Sequence, residues 1–192
     1  MTDTAIGLGQ IQASDPDFDQ DAFLNQAGRA FFAVKSALQA RELADARDLV
    51  SDSVYDDLRS NVMSLETRGA VHNYDNLDIR QSSIAAAEHT ETGDHITVLF
   101  QSVAMQYTIS ENDSLDAIQM PLLMPFSEYW TFSRPAGAAV RAQRRPECPT
   151  CGAPIDIDTG RICRYCKTLM PPLRQQTGWT VVAIAPAAPN NE

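Results

Sequence analysis

The sequence predicts an α+β domain in which helices cover one face of an antiparallel sheet. Apolar residues repeat every three or four positions up to about residue 69 and every second position from about residue 77, which is the change from a helical to a strand period. All helical segments precede all strand segments, without the alternation of strand and helix that a parallel sheet requires. Two Cys-x-x-Cys pairs lie between the last two strand segments, so we expect a small metal-binding module as an insertion into that sheet.

The composition is that of a soluble globular protein. Of the 192 residues, 44% are hydrophobic, which is enough to bury a core. The first residues lack the basic start and apolar run of a signal peptide, and no stretch approaches the roughly 18 apolar residues of a transmembrane segment. All four cysteines fall in the two pairs, which suits a reducing compartment. We therefore expect a cytoplasmic protein, either free or peripheral at the inner face of the membrane.

Charge is distributed unevenly along the chain. Residues 134–174 hold eight basic and three acidic residues, a formal charge of +5, so the remainder carries −15 to give the total of −10. Four thiolates and one Zn²⁺ would add −2 and leave the segment near +3. This balance disfavours an affinity of the whole protein for nucleic acid or an anionic membrane, and it leaves a local affinity open.

The N-terminal part predicts one arm and three helical segments. Residues 1–17 are polar and lack periodicity, which predicts a flexible arm. A long amphipathic helix is predicted from Phe18 to about Ala40, and a shorter helical stretch over residues 42–50. Ser51 is the expected N-cap of a third helix that ends at Gly69. The apolar stripe of the long helix is Leu24, Ala27, Phe31, Val34 and Leu38.

The remaining chain predicts four strands. Residues 77–85 and 95–107 form a hairpin around a turn at residues 91–94, and its second strand, apolar on both faces, suits a central position. Residues 127–134 and 178–184 are the third and fourth strands. The segment Met120–Phe126 contains two prolines, which argues against a central strand, so we expect an edge or a lip there.

The predicted domain organisation places the cysteine module inside a hairpin. Removing residues 135–177 would leave the third and fourth strands able to pair directly. The prediction is therefore an arm over residues 1–17, an α+β body over residues 18–134 and 178–187, and an inserted zinc ribbon over residues 135–177.

The two cysteine pairs predict one structural zinc ion, bound by Cys148, Cys151, Cys163 and Cys166. Each pair has the form of a zinc knuckle, and eleven residues separate the two pairs. Four thiolates close a tetrahedral site, so no position is open for a catalytic water. A disulfide or redox dithiol and an iron–sulfur cluster remain alternatives that fit the knuckle spacing less well.

Several short segments follow one another in a characteristic order: Asp17-Phe18, Phe23-Leu24, Ala30-Phe31, Ile84–Glu88, Ile96–Val98, Tyr129–Phe132 with Arg134, and Gly178–Ile184. In this order they resemble the Tim44-like domain, the C-terminal domain of the mitochondrial import-motor scaffold and its bacterial relatives. The resemblance spans roughly residues 15–187, and some relatives are similar in having a zinc ribbon before the last strand.

The resemblance implies a cone-shaped fold like that of nuclear transport factor two and the cystatins, with a curved sheet around an apolar pocket. It also implies association with membrane lipid, or a scaffold for membrane-associated protein complexes, instead of catalysis. Bacterial members often have a membrane segment before this domain, and this sequence shows none.

Two further groups of residues are candidates for binding. Four aromatic residues could line a ligand pocket, or they could be core side chains at alternating strand positions: Phe100, Trp130, Phe132 and Trp179. Three arginines before the first knuckle could meet phosphates of an anionic surface, or they could belong to a solvated linker: Arg141, Arg144 and Arg145.

The three histidines are weaker candidates for acid–base catalysis. His72, His89 and His95 flank predicted strands or turns, where exposed histidines are common, and no carboxylate lies at a spacing that commits it to one of them. We therefore expect no enzymatic activity.

Together these observations predict a non-enzymatic zinc-binding scaffold that acts through protein partners or peripheral membrane contact, in protein transport or the assembly of membrane complexes. One alternative is a ribosome- or nucleic-acid-associated zinc-ribbon protein, whose binding would be steeply salt-dependent and lost on Arg144→Glu with Arg145→Glu. Another is a small-molecule binder or enzyme of the cone fold, with a shifted His or Asp facing the cavity.

Overall fold

The computed structural model describes residues 3–110, 122–136, 148, 150–153, 163, 165–168 and 178–188. Within these ranges, three α-helices and one 3₁₀ helix precede four strands that form one antiparallel sheet in the order β1-β2-β3-β4. This arrangement confirms the α+β prediction. The elements are α1 (Asp3–Ser14), α2 (Gln20–Ala40), the 3₁₀ helix (Leu43–Ala46), α3 (Asp52–Thr67), β1 (Ala70–Thr90), β2 (Gly93–Ser110), β3 (Leu123–Pro135) and β4 (Thr180–Pro186).

The two long helices begin and end where their sequences predict. Asp19 caps α2 by accepting a hydrogen bond from the Ala22 backbone N–H at 2.7 Å, and Ser51 caps α3 in the same way. The residue after α2, Arg41, adopts the left-handed conformation that stops a helix. The expected helix over residues 42–50 is shorter than predicted, since only Leu43–Ala46 is helical.

The prediction of a flexible arm over residues 1–17 is wrong for the described residues, which form α1. Its local sequence signal is weak, because two glycines lower the helix propensity and the apolar residues have little periodicity. Tertiary contacts stabilise it instead. Ile11 is fully buried, and a Cβ added at Gly7 would lie 1.9 Å from the Ala87 carbonyl oxygen. Glycine therefore allows the helix to approach the backbone of β1 directly.

The β1–β2 hairpin is longer than its sequence pattern predicts. Its strands pair from Ala70 with Ser110 to Thr90 with Gly93, and three irregularities interrupt the register of β1. These irregularities break the alternation of apolar and polar residues, which explains the underestimated length. In β2, alternate side chains from Ile96 to Ala104 are buried, so one face of the strand packs on the core.

The prediction of an edge or lip at residues 120–126 is confirmed for its described part, residues 122–126. Here β3 pairs with β2, since Pro125 lies opposite Val103. The pairing of β3 with β4 starts only at Glu128, so nothing in the described structure needs a backbone N–H from Pro125. Met120 and Pro121 lie outside the described residues.

The core lies between α2 and the inner face of the sheet. Its centre is Phe31, which is fully buried. The rings of Phe100 and Trp130 lie 4.8 and 5.2 Å from the Phe31 ring, and that of Phe126 lies 6.5 Å away. The predicted helical stripe therefore packs on the predicted sheet.

The two strands on either side of the cysteine module pair directly, as predicted. Ser133 lies opposite Thr180, and the pairing continues to Glu128 and Pro186. Val181 is fixed further by the segment before α3: its N–H donates to the Leu49 carbonyl at 2.9 Å, and its carbonyl accepts from the Ser51 N–H at 2.8 Å. The division of the remaining chain into a body over residues 18–134 and 178–187 and an inserted zinc ribbon over residues 135–177 stays a prediction.

Candidate metal centre

The first cysteine pair lies in a tight backbone loop. The Gly152 N–H donates to the Cys148 carbonyl at 2.8 Å, and the Cys148 N–H donates to the Ala153 carbonyl at 2.8 Å. Gly152 has a φ of 68°, which glycine adopts without a steric cost. This geometry turns the chain so that both sulfurs of the pair face one centre.

The second pair repeats the first, hydrogen bond for hydrogen bond. The Lys167 N–H donates to the Cys163 carbonyl and the Cys163 N–H donates to the Thr168 carbonyl, both at 2.9 Å. Lys167 occupies the position of Gly152 and has a φ of 61°. The second loop therefore holds a residue with a side chain in a conformation that favours glycine.

The four sulfur atoms form one compact cluster. All lie within 4.8 Å of one another, with 3.5 Å between those of Cys148 and Cys166 and 3.8 Å between those of Cys151 and Cys163. A tetrahedral zinc ion with Zn–S bonds of about 2.3 Å would separate its sulfur ligands by about 3.8 Å. All four thiols are free. The cysteines are thus positioned to hold a metal ion, and the separations of 3.5 and 3.8 Å are close to this value.

The pKa values of the cysteine thiols also favour a cation bound between them. Hydrogen bonds from the side chain and backbone of Thr168 lower the pKa of Cys166 to about 6. The Ala153 backbone N–H lowers the pKa of Cys151, but loss of solvent and the three neighbouring sulfurs outweigh it and raise that pKa to about 12. Such neighbours cannot all ionise side by side unless a cation balances their charge.

The predicted aromatic pocket residues lie in the core. Phe100 and Trp130 are fully buried around Phe31, and Phe132 and Trp179 line a void of about 20 Å³. A void of this size holds about one water molecule. Its lining, as far as the described residues go, has no histidine or carboxylate, and consists of Phe23, Gln26, Ala27, Ala30, Leu49, Phe132 and Trp179. A ligand-binding role for the four predicted aromatics stays a prediction.

A buried ion-pair network closes the end of the sheet from which the module departs, and the sequence reading missed it. Arg134 is almost fully buried, and its guanidinium donates to Asp15 at 2.7 Å and to Asp94 at 2.6 Å. Its guanidinium carbon lies 4.7 Å from the ring of Trp179, the residue that precedes β4. Arg134 belongs to the positive segment of the sequence, but its charge is neutralised inside the body.

A second ion pair is buried on the inner face of the sheet. The Lys35 ammonium donates to Glu128 at 2.7 Å, and it lies 4.8–5.5 Å from the ring centres of Phe31, Tyr74 and Phe126. Burial and the nearby Glu128 raise the pKa of Tyr74 to about 12. Lys35 follows Phe31 by four positions on α2, so both side chains lie on the same face of the helix. This spacing is the sequence signal that could have indicated the burial of Lys35.

The remaining candidate residues are the three histidines and the three arginines before the first knuckle. Nδ1 of His89 lies 2.6 Å from Asp94, so the expectation that no carboxylate is committed to a histidine is wrong for His89. Nδ1 of His72 lies 3.1 Å from the Thr108 hydroxyl, and burial, then Lys35, lower the pKa of His72. His95 lies on β2, half-buried. The arginines Arg141, Arg144 and Arg145 lie outside the described residues.

The comparisons with known proteins agree with the fold. No curated protein matched this chain. Among the described helices, none is long and apolar enough to cross a membrane. The family model of the Tim44-like domain matches residues 4–144, which include α1 and β1–β3 and end before the first cysteine. The match covers most of the chain and confirms the expected α+β fold class, like that of nuclear transport factor two; the chain belongs to the Tim44-like domain family.

Proposed function

We propose that this protein is a non-enzymatic scaffold of protein transport or membrane-complex assembly, with one structural zinc ion in its cysteine module. It acts through a protein partner or through peripheral contact with a membrane. Membership of the Tim44-like family supports the transport-related role. The cluster of four free thiols supports the metal, and thiolate sulfur is a preferred ligand of zinc.

One observation carries the proposal: the inside of the body is filled, while an apolar segment of its surface is exposed. Phe31, Phe100 and Trp130 fill the space between α2 and the sheet. Residues Leu122–Met124, which we call the lip, are 47–76% exposed at the start of β3. Exposed apolar side chains that adjoin one another are typical of an interaction site.

The chemistry of the lip suits an adaptable contact. Leucine and methionine are flexible apolar side chains that fit partners of varied shape, and they also enter the interface of a lipid bilayer. The acidic body disfavours a purely electrostatic attachment to anionic lipid, so a membrane contact would depend on insertion of the lip.

Flotation with lipid vesicles tests the lip. The zinc-loaded protein is mixed with neutral or anionic vesicles at low and at physiological salt. Flotation at physiological salt that is lost in Leu122→Glu with Met124→Glu identifies a peripheral membrane contact. Met63→Glu is the matched control, because Met63 on α3 is 53% exposed and Met124 is 54% exposed.

If the wild type does not float with vesicles, co-purification tests the protein-partner hypothesis. It compares the wild type, the lip variant (Leu122→Glu with Met124→Glu) and the control Met63→Glu. A partner that binds the wild type and Met63→Glu but not the lip variant supports the scaffold. The proposal fails if the lip variant keeps every interaction of the wild type. Native mass spectrometry tests the metal separately, with one zinc ion per chain as the expected result and its absence in Cys163→Ser.

A further inference from the structure

The four cysteines of the metal centre differ in how far solvent reaches them. Cys148 and Cys163, the first cysteine of each pair, are buried, with 2% and 4% of their surface exposed. Cys166 is half-buried, whereas Cys151 is exposed. A reagent that approaches from solvent therefore reaches Cys151 more readily than the other three cysteines.

The two knuckles also differ in one hydrogen-bond donor. They share the same backbone loop, so Ala153 of the first knuckle occupies the position of Thr168 in the second. The backbone N–H of each of these residues donates to the second sulfur of its pair, that of Cys151 or Cys166. The Thr168 side chain adds a further contact, because its hydroxyl oxygen lies 3.3 Å from the Cys166 sulfur. Alanine has no hydroxyl, so the first knuckle lacks this contact at the corresponding position.

Both differences affect how the sulfurs react when a metal is bound. A cysteine that coordinates a metal is already a thiolate, so its reactivity depends on access and on the electron density at sulfur. A hydrogen bond donated to a thiolate draws electron density from the sulfur and makes it a weaker nucleophile. Cys166 is therefore more protected than Cys151 in both respects.

A second thiol is placed to react with a modified Cys151. The sulfur of Cys163, in the other knuckle, lies 3.8 Å from the Cys151 sulfur. Because a disulfide bond is about 2.05 Å long, a small movement of the two side chains would join them. An accessible thiolate beside a second cysteine is the usual arrangement of cysteines that respond to oxidants.

We propose that Cys151 is a site of oxidative modification by hydroperoxides, with Cys163 as the resolving thiol. The Cys151 sulfur bonds to the hydroxyl oxygen of the hydroperoxide while the O–O bond breaks, which gives a sulfenic acid and an alkoxide that takes a proton from water. The Cys163 thiolate then attacks the Cys151 sulfur and expels hydroxide. The two sulfurs lose two electrons and form a disulfide, and the hydroperoxide gains them and is reduced to the alcohol.

The disulfide would remove two of the four ligands of the zinc ion. Because metal binding and folding of such a module are coupled, oxidation should release the ion and unfold the module. The inference rests on the zinc ion of the proposed function. It does not depend on the lip, since the lip contributes no ligand to the metal centre.

Mass spectrometry of the oxidised wild type tests the assignment. Native spectra first establish one zinc ion per chain, and the loaded protein then receives less than one equivalent of tert-butyl hydroperoxide with a dimedone probe for sulfenic acid. Trypsin cleaves after Arg161 and Arg164, so Cys163 and Cys166 fall on different peptides from each other and from the first pair. We expect the first sulfenic label on Cys151, a Cys151–Cys163 disulfide without the probe, and loss of zinc in parallel.

Moving the hydroxyl between the knuckles tests the physical cause. Ala153→Thr supplies the first knuckle with the donor of the second and should slow the oxidation of Cys151 roughly fivefold. Ala153→Val is the matched control, because valine has nearly the same shape without the hydroxyl, and Cys151 should react as in the wild type. Thr168→Val should accelerate the oxidation of Cys166 by a similar factor. Equal rates at Cys151 in Ala153→Thr and Ala153→Val would overturn the role of the hydrogen bond.

The wild-type result is decisive even if a variant fails to bind metal. A first label on another cysteine overturns Cys151 as the site of attack, and a disulfide between Cys148 and Cys151 overturns Cys163 as the resolving thiol. A wild type without zinc contradicts the metal of the proposed function. One zinc ion per chain with oxidation elsewhere contradicts the present inference alone, so the two failures are distinguishable.

Discussion

In the body, Phe31 is fully buried and has four aromatic rings within 6.5 Å, whereas in the described part of the cysteine module the buried side chains are Cys148 and Cys163. The body therefore has a hydrophobic core of its own. The module has a cluster of four thiols, and with the proposed zinc ion it would gain its folding free energy from the metal. On this proposal the two parts of the chain are stabilised by different physical interactions, although the module interrupts the sheet of the body.

The contacts at which the cysteine module joins the body explain how the two parts can differ in what stabilises them. The last residues of β3 include Arg134, and the residue before β4 is Trp179. Their contact of 4.7 Å, together with the pairing of Ser133 with Thr180, joins the two ends of the insertion inside the body. We therefore expect the closure of the sheet to depend on the body alone, so that the module could lose its structure without opening the hairpin.

Metal removal is expected to have the largest effect on the difference between the two parts. Chelation should unfold the module, because zinc contributes on the order of 10 kcal/mol to such knuckles. Both tryptophans lie in the body, so their fluorescence reports the body, and reaction of the thiols with a colorimetric reagent reports the module. We expect full thiol reactivity with nearly unchanged tryptophan emission, and added zinc should reverse it. A change in tryptophan emission that accompanies the gain in thiol reactivity would contradict the independence of the two parts.

Truncation of a core side chain should destabilise the body and leave the metal site of the module unchanged. Phe31→Ala is expected to lower the free energy of unfolding of the body by about 3–5 kcal/mol, because it removes a buried ring and leaves a cavity. The zinc content should stay the same. Phe32→Ala is the matched control, since Phe32 is 37% exposed and its loss should cost far less. Urea unfolding followed by tryptophan fluorescence measures both variants. Equal losses would show that α2 does not pack as described.

The sequence predicted those features of the fold that depend on local patterns. The stripe of α2, the cap at Ser51 and the knuckle spacing each involve residues a few positions apart, where helix geometry or ligand geometry fixes the pattern. The insertion was also predictable, because the segments on both sides of it have strand periodicity.

The features that were missed depend on contacts between distant residues. α1 has weak propensity and forms because Gly7 meets the backbone of β1 about 80 residues later in the chain. Similarly, Asp15 and Arg134 form their ion pair although 119 positions separate them in the sequence. No local pattern distinguishes a buried arginine from an exposed one, so Arg134 was assigned to the positive segment around the cysteines.

Removal of the Arg134 charge is expected to weaken the junction. Arg134→Met leaves the buried carboxylates of Asp15 and Asp94 without their shared guanidinium, and breaking a buried pair in this way costs about 3–5 kcal/mol. Arg80→Met removes an exposed ion pair with Asp78 and should cost about 0–1 kcal/mol. Thermal unfolding of both variants measures the difference. Equal stabilities would show that the network does not hold the end of the sheet.

The smallest expected effect distinguishes the two knuckles from each other. Lys167 has a positive φ that costs about 1 kcal/mol for a residue with a side chain, while Gly152 has it at no such cost. Because folding of the module and metal binding are coupled, Lys167→Gly should tighten zinc binding about fivefold. Gly152→Ala should weaken it by a similar factor, and space does not limit this change, since an added Cβ would meet nothing within 4 Å. Competition with a chromophoric chelator measures both affinities. Shifts in the same direction would show that backbone conformation does not set the affinity of the site, whereas opposite shifts would assign the weaker half of the metal centre to the second knuckle.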